Sequence, residues 1–246
     1  MADDLRHRLR TLLFVDIETV ASVQSFEELP ERMQHLWDKK ASKIPQHVPE
    51  PLSNAELFYD RAAIYAEFGR IVCIAFGAIY WNEANEMALK VRSFSGTDEA
   101  ALLRDFRDLL GKYAGGNPVL CAHNGKEFDF PYLCRRMIIN GIDLPSVLQL
   151  TGKKPWEILH QDTMDMWKYG DYKSYTSLDL LAAVFDIPGS KGEMDGSQVT
   201  PVFYEEEGGL EKISRYCRED VVVLAQLYLR LQNHPLVLEK NIFRIE

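Results

Sequence analysis

Apolar runs of strand length and amphipathic runs of helix length follow one another along this chain, and their order constrains the fold more than any other feature. Leu12–Ile17, Arg70–Tyr80 and Met87–Phe94 read as three strands, rich in Ile, Val, Leu and Phe. The longest apolar run, Ile71 to Trp81, is eleven residues. That is about half of the ~20 residues a membrane-spanning helix needs, so it reads as a buried strand and no membrane association is expected. A helix is predicted from Asp98 to about Lys112, capped by Thr97, with Leu102, Leu103, Phe106, Leu109 and Leu110 as its apolar face. Pro118–Ala122 follows as a fourth strand, then a helix over Glu127–Asn140 stopped by Asn140-Gly141. His160–Thr163 is a short fifth strand. Ser177 caps a helix to Phe185, and Gly209–Leu231 forms a long final helix.

Hairpin-like strands followed by alternating helices and strands predict an α/β fold, a mixed five-stranded sheet with helices on its faces. Residues 25–68, with four prolines, fit this plan poorly. They are read as an insertion of helices and loops after the first strand, packed on one domain spanning 1–246. A 46% hydrophobic content excludes disorder as a description of the whole. The N-terminal segment MADDLRHRLR has no apolar stretch of a secretory signal. Cys73, Cys121, Cys134 and Cys217 are scattered, without C-x-x-C or zinc spacing, which predicts reduced core thiols in a cytoplasmic protein. With 28 Lys+Arg against 37 Asp+Glu, the chain opposes a long basic groove for duplex DNA, which needs clustered cations.

Three segments carry chemistry. In Phe14-Val15-Asp16-Ile17-Glu18-Thr19, strand alternation points Asp16 and Glu18 the same way. At ~4 Å and an effective dielectric of 20, two such charges repel by about 4 kcal/mol, so the pair is either a solvated strand end or a cation site. In Ala122-His123-Asn124-Gly125-Lys126-Glu127-Phe128-Asp129-Phe130-Pro131-Tyr132-Leu133, a strand passes through a glycine turn into a helix with Asp129 in its first turn. Asp129 there either caps the helix or takes part in a site. In Ile213-Ser214-Arg215-Tyr216-Cys217-Arg218-Glu219-Asp220-Val221, Tyr216 and Asp220 are four apart and share a helix face. The neighbouring apolar positions turn that face towards the core, where an acid needs a partner.

In this order the three segments resemble the Exo I, II and III motifs of the DEDD superfamily of 3′–5′ exonucleases, tyrosine subclass. The similarity spans Leu12 to Leu231. It is nearest to the proofreading exonuclease domain of family B DNA polymerases, whose second motif Asn124-Gly-x-x-Phe128-Asp129-x-Pro131-Tyr132-Leu133 resembles. The histidine subclass has His five residues before the last acid, where this chain has Arg215.

The resemblance implies a ribonuclease H-like fold. It also implies that Asp16, Glu18, Asp129 and Asp220 hold two divalent cations, Mg²⁺ or Mn²⁺, with Asp16 shared between them. Tyr216 orients the attacking water, and a single-stranded nucleic acid 3′ end, DNA favoured, is cut to 5′-mononucleotides. Thr19 and Asn124 are the expected contacts to the terminal nucleotide; Phe128 either supports it or is simple core, and the loop Lys191 to Ser197 either sets Lys191 on a phosphate or is a plain surface turn. His123, Asp162 and Asp165 are expected to be structural. A non-catalytic nucleic-acid-binding module and a small-phosphoester hydrolase on the same scaffold are the alternatives.

Overall fold

The computed structural model describes residues 2–46, 49–113, 118–171, 175–189 and 194–245. Helix α1 (Ala2–Thr11) leads directly into β1 (Leu12–Ala21), then α2 (Glu31–Ala41) and α3 (Asn54–Arg61). Strands β2 (Gly69–Trp81) and β3 (Met87–Ser95) precede α4 (Glu99–Gly111), β4 (Val119–Ala122) and α5 (Asp129–Ile139). The chain continues through β5 (Gln161–Asp162), α6 (Thr163–Lys168), α7 (Leu178–Val184), α8 (Val199–Glu205), α9 (Gly209–Leu231) and β6 (Ile242–Arg244). The strands form one sheet in the order β5-β4-β1-β2-β3-β6. β1–β2 and β2–β3 are antiparallel, whereas β4 pairs parallel with both β1 and β5, and β6 pairs parallel with β3.

The mixed sheet flanked by helices is as expected, but it has six strands rather than five. The sixth is three residues beside Leu89–Val91, too short to show an alternation of its own. β1 also runs to Ala21 rather than Ile17, because the β2 ladder continues past a register shift between Glu18 and Thr19. Asp98, not Thr97, caps α4: its carboxylate accepts from Ala101 N at 3.0 Å, a charged acceptor at the positive helix end. Sequence reasoning missed α1, whose composition is polar but whose Leu9 is fully buried. It missed α8 as well, which carries Pro201 within its first turn, where the absent N–H costs nothing. Ser177 caps α7 through Leu180 N, and α9 has the expected bounds.

Strand alternation divides the core. Leu12, Phe14 and Val20 of β1 face α9 and pack with Ile213, Cys217, Val221 and Leu224. Leu13, Val15 and Ile17 face the opposite layer with Phe106 of α4 and Phe130 and Leu133 of α5. Asp16 and Glu18 therefore interrupt an apolar row on the α9 face. Between β1 and β2, α2 and α3 enclose a core of their own around Trp37, Phe58 and Phe68. Arg136 of α5 ties this region down by donating to Ala66 O at 2.7 Å while pairing with buried Glu99.

Candidate active site

β1 brings Asp16 and Glu18 to the same face, two residues apart, at the point where α9 crosses it. Glu18 is buried and Asp16 half-buried, and donor atoms of Asp16, Glu18 and Cys217 all lie within 4.8 Å of one another. Asp129 arrives from the far side of the sheet. It opens α5, is 4% exposed, and its Oδ1 accepts from Ile17 N at 3.2 Å, the backbone amide between the two β1 acids. α9 supplies Tyr216 and Asp220 one turn apart, and the Tyr216 hydroxyl donates to Asp220.

The electrostatics are those of a site short of positive charge. Burial raises the Asp16 carboxyl well above its usual range, and the negative Asp129 and Asp220 raise it further; the Cys217 thiol opposes them. Glu18 is raised by burial and then by Asp16 and Asp220. Asp129 is pushed up to about 7, mainly by burial, against backbone hydrogen bonds that favour its charged form. Burial beside Asp220 and Glu18 raises the Tyr216 phenol, so it stays protonated at neutral pH. Four acids brought this close fit a hard cation, which prefers oxygen donors. Such a cation would offset the burial and the mutual repulsion that lift these carboxyls.

The second motif is built for its turn. Asn124 has φ +62° and Gly125 packs so tightly that a Cβ there would meet Ala122 Cβ at 2.3 Å. Asp162, buried at the end of β5, holds the turn by accepting from Asn124 N and Lys126 N, both at 3.0 Å, while capping α6 through Met164 N at 2.9 Å. His123 bonds Thr163 Oγ1 and Thr176 O, each at 2.8 Å, and Asp165 pairs with Lys126 at 3.3 Å. These three thus have the structural surroundings expected of them.

The expected nucleotide contacts are placed less uniformly. Thr19 is buried, and its hydroxyl reaches Tyr132, whose own hydroxyl donates to Ala63 O at 2.8 Å. Phe128 is half-buried and tilts against Tyr132 with ring centroids 5.3 Å apart. Asn124 is half-buried at the turn. Lys191 lies outside the described residues. Met194, Asp195 and Gly196, from the same loop, line a cavity of about 590 Å³ whose wall includes Asp16, Tyr216 and Asp220. The α7 side of this cavity, with exposed Tyr175, and the Cys217 contact to Asp16 went unread in the sequence. Both depend on segments far apart in the chain.

No curated protein matches the sequence. A solved family B DNA polymerase, from the hyperthermophilic archaeon Pyrobaculum calidifontis, is similar over 90% of this chain and 24% of its own, with a TM-score of 0.52 and 15% identity. At that identity the likeness is one of fold, and the chain spans about a quarter of that protein. The model of a family described as predicted 3′–5′ exonucleases, related to the exonuclease domain of PolB, matches residues 64–245, which include Asp129, Tyr216 and Asp220. Asp16 and Glu18 precede that match and join these residues through the place of β1 in the sheet. The chain belongs to this family of predicted 3′–5′ exonucleases related to the PolB exonuclease domain.

Proposed function

We propose that the protein is a metal-dependent 3′–5′ exonuclease that hydrolyses the terminal phosphodiester of a single-stranded 3′ end, DNA in preference to RNA, releasing 5′-mononucleotides in the cytoplasm. One observation carries the reading: Asp16, Glu18, Asp129 and Asp220 from three separate elements meet, together with Tyr216, beside one cavity. Two divalent cations, Mg²⁺ or Mn²⁺, held by these four carboxylates would activate the nucleophile and offset charge on the leaving 3′ oxygen. The chain's own groups do the rest. Asp16, which feels the charge of both Asp129 and Asp220, would be the carboxylate shared between the two ions. Tyr216, kept neutral and oriented by Asp220, presents a hydroxyl that aligns the attacking water but cannot take its proton. Asn124, Thr19, Phe128 and Lys191 hold the terminal nucleotide in this reading.

The test is degradation of end-labelled single-stranded DNA and RNA of matched sequence with Mg²⁺ or Mn²⁺, with Asp129→Ala as control. Stepwise shortening from the 3′ end, lost in the variant and in chelator, is the expected result. Release from mononucleotide esters but not from oligonucleotides, or equal turnover by the variant, overturns the reading.

A further inference from the structure

Cys217 is fully buried, on the α9 face that packs against β1. Its Sγ lies 3.3 Å from Asp16 Oδ2 and 3.5 Å from the Asp16 backbone oxygen. Next to it is Cys73, the β2 residue opposite Glu18 in the ladder. Ile213 and Val221, one turn to either side on α9, are also fully buried and offer no donor. An aliphatic side chain at 217 would leave the inner oxygen of Asp16 facing hydrocarbon. A thiol is small enough to fit under the sheet and still brings one S–H.

We propose that Cys217 is a positioning residue for Asp16. Its S–H donates to Oδ2 and fixes the plane of the carboxylate, so that the other oxygen is turned to the cation site. This rests on the metal reading of the four acids and adds a group that touches neither metal nor substrate. Partners that orient a metal-binding carboxylate act on affinity, and their loss weakens binding by roughly 10–100-fold. The thiol is a weak donor, so the lower end of that range applies.

The experiment is Mn²⁺ binding, followed by electron paramagnetic resonance of the free ion, for the unmodified protein, Cys217→Ala and Cys217→Ser. Thermal melts of each are recorded in chelator, and ultraviolet spectra are taken after Cd²⁺ addition. Expected are a roughly tenfold weaker Mn²⁺ affinity in Cys217→Ala, recovery of most of it in Cys217→Ser, which keeps a donor, and no thiolate–Cd²⁺ charge-transfer band. Equal affinity in all three overturns the proposal. So does a loss shared by both variants that follows their melting temperatures, which marks a packing role. A Cd²⁺ band that disappears in Cys217→Ser makes the thiol a ligand and overturns it too. Failure of the unmodified protein to bind Mn²⁺ sinks the metal reading itself and this proposal with it.

Discussion

Asp129→Asn should make the metal-free protein more stable, and distinctly more so at pH 8 than at pH 5. Asp129 is buried, and its folded-state carboxyl titrates at about 7 against an ordinary value of 3.8. Between those values the folded chain keeps a proton that the unfolded chain has released. Stability therefore falls as pH rises through this window and is flat above it. Three units at 1.36 kcal/mol each put the full cost at about 4 kcal/mol above pH 7. At pH 5 only the first unit or so has been incurred, about 1–2 kcal/mol. Asparagine escapes the cost yet keeps an oxygen for Ile17 N, so its advantage should grow by about 2–3 kcal/mol between pH 5 and pH 8.

For a chain of this length each kcal/mol moves the melting temperature by about 2–4 °C, so the gap should widen by roughly 5–10 °C. The assay is thermal unfolding in chelator at both pH values, repeated with saturating Mg²⁺. Binding at a hundred times its Kd adds about 2.7 kcal/mol to the unmodified protein and should close most of the gap at pH 8. A variant that melts below the unmodified protein at pH 8 in chelator, or a gap that ignores pH, refutes the argument that Asp129 is held charged at a cost a cation repays.

Tyr216→Phe should lower kcat on the order of a hundredfold with little change in KM, as the loss of one hydroxyl aimed at the reaction does; a KM effect alone would place Tyr216 in binding instead. Because the phenol is raised above its usual value, the unmodified enzyme should show no loss from its ionisation up to about pH 10, read from a pH–rate profile. Gly125→Ala should destabilise by at least about 1–3 kcal/mol, since the new methyl overlaps Ala122, and a denaturant melt measures it. Asp162→Ala should cost about 3 kcal/mol or more through the loss of a charged acceptor for Asn124 N, Lys126 N and Met164 N. It should also reduce turnover, and an unfolding curve paired with the degradation assay separates the two effects.

The sequence made legible what local pattern dictates. β2 and β3 read almost to the residue because each is a long apolar run, and α9 because its apolar positions repeat over 23 residues between Gly208 and Gln232. Alternation along β1 put Asp16 and Glu18 on one face, and helical spacing did the same for Tyr216 and Asp220. What stayed hidden is set by tertiary pairing. The three residues of β6 pair along the open edge of β3, and polar α1 is held on the sheet by buried Leu9 and by Arg6 and Arg10 over Trp81 at 5.0 and 5.7 Å. The Cys217–Asp16 contact spans 201 residues, and no spacing rule reaches that far. Asp162 was read as structural, but the turn it holds could be named only once β5 lay beside β4.

The charge balance of the chain has a counterpart at the site. Asp16, Asp179, Asp195 and Asp220 line the cavity beside the carboxylate cluster, and among its described lining residues there is no Lys or Arg. A phosphodiester entering that space meets acids on several sides, and the exposed ones, Asp179 and Asp195, each oppose it by about 1 kcal/mol at ~4 Å in the high dielectric of the surface, to which the half-buried acids add where they are ionised. Exposed Tyr175 on the same wall offers a face to a base, whose stacking is worth about 1–3 kcal/mol, and the repulsions largely cancel that gain. Binding of a 3′ end and loading of cations should therefore be coupled: each should tighten the other by the same factor. Oligonucleotide affinity measured by fluorescence anisotropy with Tyr216→Phe, which keeps all four carboxylates but slows turnover, should rise with divalent ion far more than with monovalent salt of equal ionic strength. An affinity that depends on ionic strength alone would mean that the strand is held by lysines and arginines outside the cavity, and that the carboxylates serve only the chemical step.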